Sequence, residues 1–271
     1  MTNADILVIG AGVIGISAAL ELQHRGHSVL VLDRDGVAAQ ASAGNAGAFA
    51  FADVEPLATP GIMVRAPKWL LDPLGPLSVP PAYALRIAPW MVRFWRASWR
   101  DRNERSITAQ SRLMRLSKAA LERQIAQVDG EHLMQRDGQL QLCEGQKEFN
   151  ASLGTWDVRR RHEIAFTLLE NRDAIAEIQP GLDPRFTHAG YTPDWMNTVD
   201  PKTWVAHLAQ AFLDRGGRIE QKEISALSVD GLGARVTLAD GDLAARNVIV
   251  AAGAWSHHLA RTLGDHIPLE T

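Results

Sequence analysis

The chain runs from an apolar strand straight into a glycine loop, and that junction limits its possible folds more than any later feature. Asp5-Ile6-Leu7-Val8-Ile9 leads without a gap into Gly10-Ala11-Gly12-Val13-Ile14-Gly15, a helix-patterned stretch follows, and an acid stands at Asp33. Gly10 permits a tight turn out of the strand, and Gly12 lets the backbone approach a pyrophosphate. Gly15 brings the helix close to the sheet, with Ala19 one turn later keeping that face small. N–H groups at the helix start, helped by the helix dipole, then attract a diphosphate. A glycine-rich turn alone carries little weight. Here the strand before it, the helix after it and the acid at Asp33 agree on dinucleotide binding.

Composition narrows the class. With 46% apolar and 22% charged residues, the 271-residue chain is that of a globular protein able to bury one large core or two ordinary ones. A formal charge of −3 argues against a general nucleic-acid binder, whose footprint is a basic excess. The lone Cys143 leaves no internal disulfide and fits a reducing compartment. The N-terminus lacks a basic leader pattern, and no run of apolar residues is long enough to span a bilayer, so the expectation is a cytoplasmic protein.

The first unit reads β-α-β: strand Ile6–Ile9, a helix from Val13 to Arg25 stopped by Gly26, and strand Ser28–Leu32. Both strands are continuous apolar runs, as in a parallel sheet covered on both faces. Small residues from Ala38 to Gly47 then form a loop, and a proline-rich run extends from Pro56 to Pro81. Helices are expected from about Ala82 to Val128, the first with Trp90, Met91, Phe94, Trp95 and Trp99 largely on one side, the second around Ile107–Val128. Gln139–Cys143 alternates as a half-buried strand; helix Gln146–His162, strand Phe166–Leu169 and helix Arg172–Ile178 follow. Near Asn197 the first style returns. Asp200-Pro201 reads as a capped helix start, with the helix running to Asp214. Strand Arg218–Ile224, a hairpin through Asp230-Gly231 and Asp240-Gly241, and a buried strand in Asn247–Trp255 complete the reading. The fold class is therefore α/β: a Rossmann-like domain formed by residues 1–85 and 197–271, with an α+β domain inserted over 86–196.

Four segments converge on one ligand. The glycine loop takes a pyrophosphate, and Asp33 accepts from ribose hydroxyls while arguing against a 2′-phosphate there. Ser42-Ala-Gly-Asn45-Ala46-Gly47 offers close backbone approach and two polar side chains. The strand ending Ala251-Ala252-Gly253-Ala-Trp255 lets the backbone graze a cofactor where larger side chains collide. Trp255 either covers the cofactor or caps the core. Adjacent on a helix, His257 and His258 are expected to point apart, and nothing in the histidine spacing suggests a metal site. Nor is there a serine elbow.

Together, Gly10–Gly15, Asp33, Ser42–Gly47 and Ala251–Ser256 resemble the FAD-dependent D-amino-acid oxidase superfamily, and most of all bacterial D-amino-acid dehydrogenases. The Asn45-Ala46-Gly47 loop, the proline-rich run, the Trp90–Trp95 helix and the strand Gly138–Leu142 are similar too. The resemblance implies an FAD cofactor whose ADP half is held by Gly12, Val13, Ile14 and Gly15 with Asp33 and Arg34, and whose adenine meets the Ile224 backbone. It further implies that Ser42 to Gly47 lie beside the flavin ring and Gly253 near the diphosphate. The implied reaction passes a hydride from the Cα of a D-amino acid to the flavin, and the imine hydrolyses to a 2-oxo acid and ammonia. No general base is required and no catalytic residue is named. Family members continue past the position matching Pro268, and their substrate-carboxylate clamp belongs to that region. A truncated chain is thus expected, and one rival reading is an FAD-binding fragment without turnover. Another is an oxidase or dehydrogenase for glycine, sarcosine or D-hydroxyproline. A respiratory electron acceptor is implied. The arginines interleaved with the tryptophans of residues 86–102 are read first as the solvated face of an amphipathic helix, and as the alternative they suit peripheral contact with the inner face of the cell membrane.

Overall fold

The computed structural model describes residues 4–64, 80–231 and 233–268. Its contacts divide the chain into two units: Met1–Phe49 with Glu122–Gln135 and Asn197–Thr271, and Ala50–Leu121 with Arg136–Met196. Most of the proline-rich run lies outside the described residues.

In the first unit, strands β1 (Ile6–Ile9) and β2 (Val29–Asp33) flank helix α1 (Val13–His24) in sequence and pair in parallel. Every residue of β1 is buried, as expected of an apolar run covered on both faces. Strands from far along the chain extend this sheet on either side. The order is β13-β1-β2-β9, with β9 at Arg218–Gln221 and β13 at Asn247–Val250. Helix α1 lies against β1 and β2 beside α6 (Pro201–Asp214), and the Gln23 side-chain amide donates to the carbonyls of Phe212 and Arg215. Asp200 caps α6 as expected, accepting from the Thr203 N–H at 2.6 Å, with Pro201 at the first turn. An antiparallel sheet of β10 (Ile224–Asp230), β11 (Gly233–Leu238) and β12 (Gly241–Ala245) shares a core with the parallel sheet. Leu7, Ile9, Leu30 and Leu32 meet Leu227, Val236, Leu238 and Leu259 there, the last from helix α7 (Ser256–Thr262).

In the second unit, β5 (Gln139–Cys143), β7 (His188–Thr192) and β6 (Thr167–Leu169) form an antiparallel sheet with β7 in the middle. Helix α4 (Gln146–Arg161) covers it through Trp156, whose ring lies over Gly190, and α5 (Arg172–Ile178) starts at the Asn171 cap. A Cβ on Gly190 would fall 1.9 Å from the Trp156 ring, so that strand position has to be glycine. Arg159 is buried, pairs with Asp53 and packs on the Trp156 ring. Helices α2 (Ala84–Ala97) and α3 (Arg100–Gln127) precede this sheet in the chain.

Four expectations need correction. The strand read as Arg218–Ile224 is two: β9 ends at Gln221 and β10 begins at Ile224 in the other sheet. β13 is half-exposed rather than buried, and among the described residues it pairs with β1 alone. The aromatic side of α2 is not a buried face: α2 has no buried residue, and Trp90, Trp95 and Trp99 are about half exposed. Finally, the second helix starts at Arg100, not near Ile107.

Candidate functional site: a cofactor cleft at the carboxyl ends of the parallel strands

β1 and β2 both end at one edge of the sheet, where open α/β folds place their ligands. A cavity of about 730 Å³ lies there, within the size range of cofactor sites. Of the residues singled out in the sequence, Gly10, Gly12, Val13, Ile14, Asp33, Arg34, Ser42, Asn45, Ile224, Ala252, Gly253 and Trp255 line it. Gly15 and Ala46 do not. Gly47 borders a second cavity of about 220 Å³ with Val13, Ser42, Asn45 and Trp204.

The glycines act by different means. Gly10 has φ +110°, and a Cβ there would lie 2.3 Å from the Ala251 carbonyl oxygen, so the end of β13 closes directly on the turn. Gly15 faces inward: its Cβ would fall 1.8 Å from the Gly10 carbonyl oxygen. At Gly253 a Cβ would meet no protein atom within 4 Å. Its φ of +55° by itself favours glycine. Gly47, with φ +67°, is wedged against Thr198 and accepts from the Thr198 N–H through its carbonyl.

Asp33 does more than the sequence suggested. Its Oδ2 accepts from the Ala11 N–H at 2.7 Å, and its Oδ1 accepts from Asp35 and Gly36 at 2.8 and 2.9 Å. One carboxylate thus joins the β1–α1 turn to the turn after β2, and part of its acceptor capacity remains for a ribose hydroxyl. Ser42 also has two jobs. Its hydroxyl oxygen accepts from the Val13 N–H at 3.0 Å, so that donor at the helix start is not free as expected. The Ser42 O–H proton stays available to a phosphate oxygen. Asn45 braces its own loop, donating to the Ala41 and Ser42 carbonyls and accepting from the Gly47 N–H.

Several lining residues escaped the sequence reading. Glu223 and Ser225 flank Ile224, Gln40 stands in the small-residue loop, and His258 lies one helical turn beyond Trp255. That i, i+3 spacing was the available signal for His258. Across the cavity wall the Arg34 guanidinium stacks on the Trp255 ring at 4.5 Å while pairing with Asp35. The two histidine rings do not diverge; their centroids are 3.8 Å apart, with His257 buried and its Nδ1 2.7 Å from the Ala254 carbonyl. Desolvation pushes the His258 pKa below its ordinary value, and the nearby His257, Arg261 and Arg34 act in the same direction.

A bound dinucleotide fits these residues. Gly10 and Gly12 bring backbone without Cβ atoms to the cavity, the strand-end carboxylate is held in place, and the cavity continues past Ile224 and Trp255. Trp204, bordering the smaller cavity, has a buried indole N–H with no acceptor among the described residues, so a ligand acceptor there would remove an unpaired donor. A family model described as DAO, FAD dependent oxidoreductase, matches residues 5–271. The chain belongs to this FAD-dependent oxidoreductase family. The DAO-family chain is 33% identical to a D-amino-acid oxidase of Bradyrhizobium diazoefficiens over 98% of its length. It is 30% identical to D-amino acid dehydrogenase 1 of Mesorhizobium japonicum, also over 98%. In both cases it spans 64% of the relative's length. Among solved structures, the fold is shared with glycine oxidase of Bacillus cereus (TM-score 0.65, 20% identity, 96% of this chain and 58% of that one). It is shared too with L-amino acid deaminase of Proteus vulgaris (TM-score 0.69, 18% identity, 98% and 57%). The Rossmann-like class and the FAD cofactor read from the sequence both stand.

Proposed function

We propose that this DAO-family chain forms the FAD-binding part of an enzyme that deaminates D-amino acids oxidatively to 2-oxo acids and ammonia. The support is the continuous cleft from the Gly10 turn through Asp33 to Ile224 and Trp255, in a chain at least 30% identical to proteins named D-amino-acid oxidase and dehydrogenase. When bound, FAD supplies the two-electron acceptor for hydride leaving the substrate Cα. The chain's own residues bind and orient: Gly12 admits the diphosphate, Ser42 turns a proton toward it, Asp33 takes a ribose hydroxyl, and Ile224 borders the adenine end. Asn45, Ala46 and Gly47 lie toward the flavin ring in this reading, and Arg34 closes the cleft against Trp255. Electrons leave to a respiratory acceptor rather than to oxygen, with the protein peripheral at the inner face of the cell membrane.

The test is anaerobic titration of the FAD-loaded chain with D-alanine, L-alanine, glycine and sarcosine, followed by a peroxide assay in air. The expected result is flavin bleaching by D-alanine alone and no stoichiometric peroxide. Bleaching by glycine or sarcosine moves the assignment to a small-amine oxidase or dehydrogenase. FAD binding without bleaching by any of them supports a cofactor-binding part that does not turn over alone.

A further inference from the structure

We infer that Trp204 is a cofactor-binding residue: the smaller cavity receives the flavin end of FAD, and the Trp204 indole N–H donates to it there. The inference rests on the FAD reading given above and not on which amine is oxidised. The two cavities adjoin, because Val13, Ser42 and Asn45 line both of them. Glu223, Ile224 and Ser225, at the adenine end of the cleft, line only the larger one, and so does Trp255. With adenine at Ile224 and the diphosphate at Gly12, the smaller cavity is open only to the other end of a dinucleotide. At about 220 Å³ it is too small for a whole dinucleotide but not for part of one.

The walls of this cavity are largely apolar, with Ala48, Phe49, Pro201 and Val205 among them. Two of its polar side chains are already committed. Asn45 is bonded within its own loop, and the Thr198 hydroxyl donates to the Asp200 carbonyl at 3.3 Å. Trp204 differs. It is 2% exposed, and its Nε1 has no acceptor among the described residues. The ring is not free to turn and find one. A Cβ on Gly130 would fall 2.6 Å from Cζ3, the indole atom farthest from Nε1, so that corner is seated where only glycine fits. The His207 ring stacks on the indole at 6.3 Å, and its Nε2 is held 2.8 Å from the Val128 carbonyl. With the far corner on Gly130, the N–H edge is the one left for the cavity. A buried donor without an acceptor is costly until something completes it. An apolar cavity with a held donor suits a ring carrying acceptors at its edge, and it is the flavin end of FAD, absent from ADP, that brings such a ring.

The test is titration of the full cofactor-free chain, its tryptophans labelled with nitrogen-15, with FAD and separately with ADP. Indole N–H resonances are followed by NMR and affinities by calorimetry. One indole signal, missing from the spectrum of Trp204→Phe, is expected to move downfield with FAD and to stay in place with ADP. Trp204→Phe is expected to weaken FAD binding about tenfold and to leave ADP within about twofold, a split that lost packing alone would not produce. Gly130→Ala keeps the indole but displaces it, so it is expected to shift the same signal and to show the same selective loss; it identifies the signal if Trp204→Phe does not fold. The inference is overturned if FAD leaves that signal in place, if ADP moves it equally, or if the variants lose FAD and ADP affinity in the same proportion. It also falls if the parent chain binds FAD no more tightly than ADP. A chain that binds neither removes the FAD reading as well, and none of these outcomes bears on which amine is oxidised.

Discussion

Replacing Gly15 by alanine separates two opposed physical effects. Gly15 is inside α1, where alanine is intrinsically better than glycine by about 0.8–1.0 kcal/mol. Propensity alone therefore predicts a more stable protein. The packing predicts the reverse. The new Cβ would be 1.8 Å from the Gly10 carbonyl oxygen and 3.4 Å from Val8 Cγ1. Gly10 cannot retreat, because its N–H donates to the Leu32 carbonyl at 2.8 Å and its own Cα faces Ala251. The helix has to lift instead, by about 1.2 Å, to reach the 3.0 Å a Cβ tolerates, and Ile16 and Leu20 lift with it. Overpacking of this kind costs about 1–3 kcal/mol, and backbone on both sides of the clash puts Gly15→Ala toward the upper end. The net expectation is a loss of about 1–2 kcal/mol, or a Tm lower by roughly 2–6 °C. Gly154→Ala supplies the control. Gly154 is within α4, exposed, with nothing within 4 Å of its Cβ position, so it should gain roughly 2–3 °C from propensity alone. Thermal melts of both variants without cofactor, with FAD titration by flavin fluorescence, make the comparison. Gly15→Ala is also expected to bind FAD more weakly, since the lifted helix carries Gly12 and Val13 away from the strand end. A Gly15→Ala variant that melts higher than the parent, as Gly154→Ala should, would refute the packing argument.

Asp33→Asn keeps the shape but supplies one carbonyl oxygen where two carboxylate oxygens accept backbone N–H groups. Whichever way the amide turns, a donor faces a donor, and FAD affinity is expected to fall at least tenfold by fluorescence titration. Gly190→Ala drives a methyl into the buried Trp156 ring and should destabilise the second unit by about 3 kcal/mol without changing FAD affinity, as read by melts and titration. For His258 the folded pKa lies below the ordinary 6.5, so the unfolded chain binds more protons in the window just under that value. Cofactor-free stability should thus fall on acidification from about pH 6.5 toward the lowered folded pKa, and His258→Gln should flatten that slope in urea melts at stepped pH.

The β1–glycine–α1–β2 unit was legible because each of its signals is local: an apolar run, a turn that only glycine permits, and an acid at a strand end. The Asp200 cap and the limits of α5 were readable for the same reason. What stayed hidden depends on distant neighbours. A continuous apolar run at Asn247–Val250 says that a strand has covered faces, but not that one of its edges lacks a partner among the described residues. The break between Gln221 and Ile224 follows from two sheets diverging, which β-prone residues on both sides do not reveal. Strand β7 carries no strong alternation, and its place between β5 and β6 comes from pairing with segments some fifty and twenty residues earlier. Aromatic spacing in α2 correctly put Trp90 and Phe94 together, stacked at 4.9 Å, but spacing cannot say whether anything covers that side. In the cleft, the sequence named Asp33, Ser42 and Asn45. Their bonds to backbone N–H and carbonyl groups depend on loop paths that no residue pattern encodes.

The sheet order β13-β1-β2-β9 also sets a timetable for synthesis. β1 and β2 are among the first residues made, but Ile6–Ile9 waits for Asn247–Val250, and Val29–Asp33 waits for Arg218–Gln221. At about 5–20 residues per second, that interval lasts on the order of ten to fifty seconds. During it the Gly10 turn has no Ala251 backbone to close against, and the apolar strands of the nascent chain lack their flanking partners. The cofactor cleft is therefore a late product of translation, and FAD can select only chains whose distant segments have already come together.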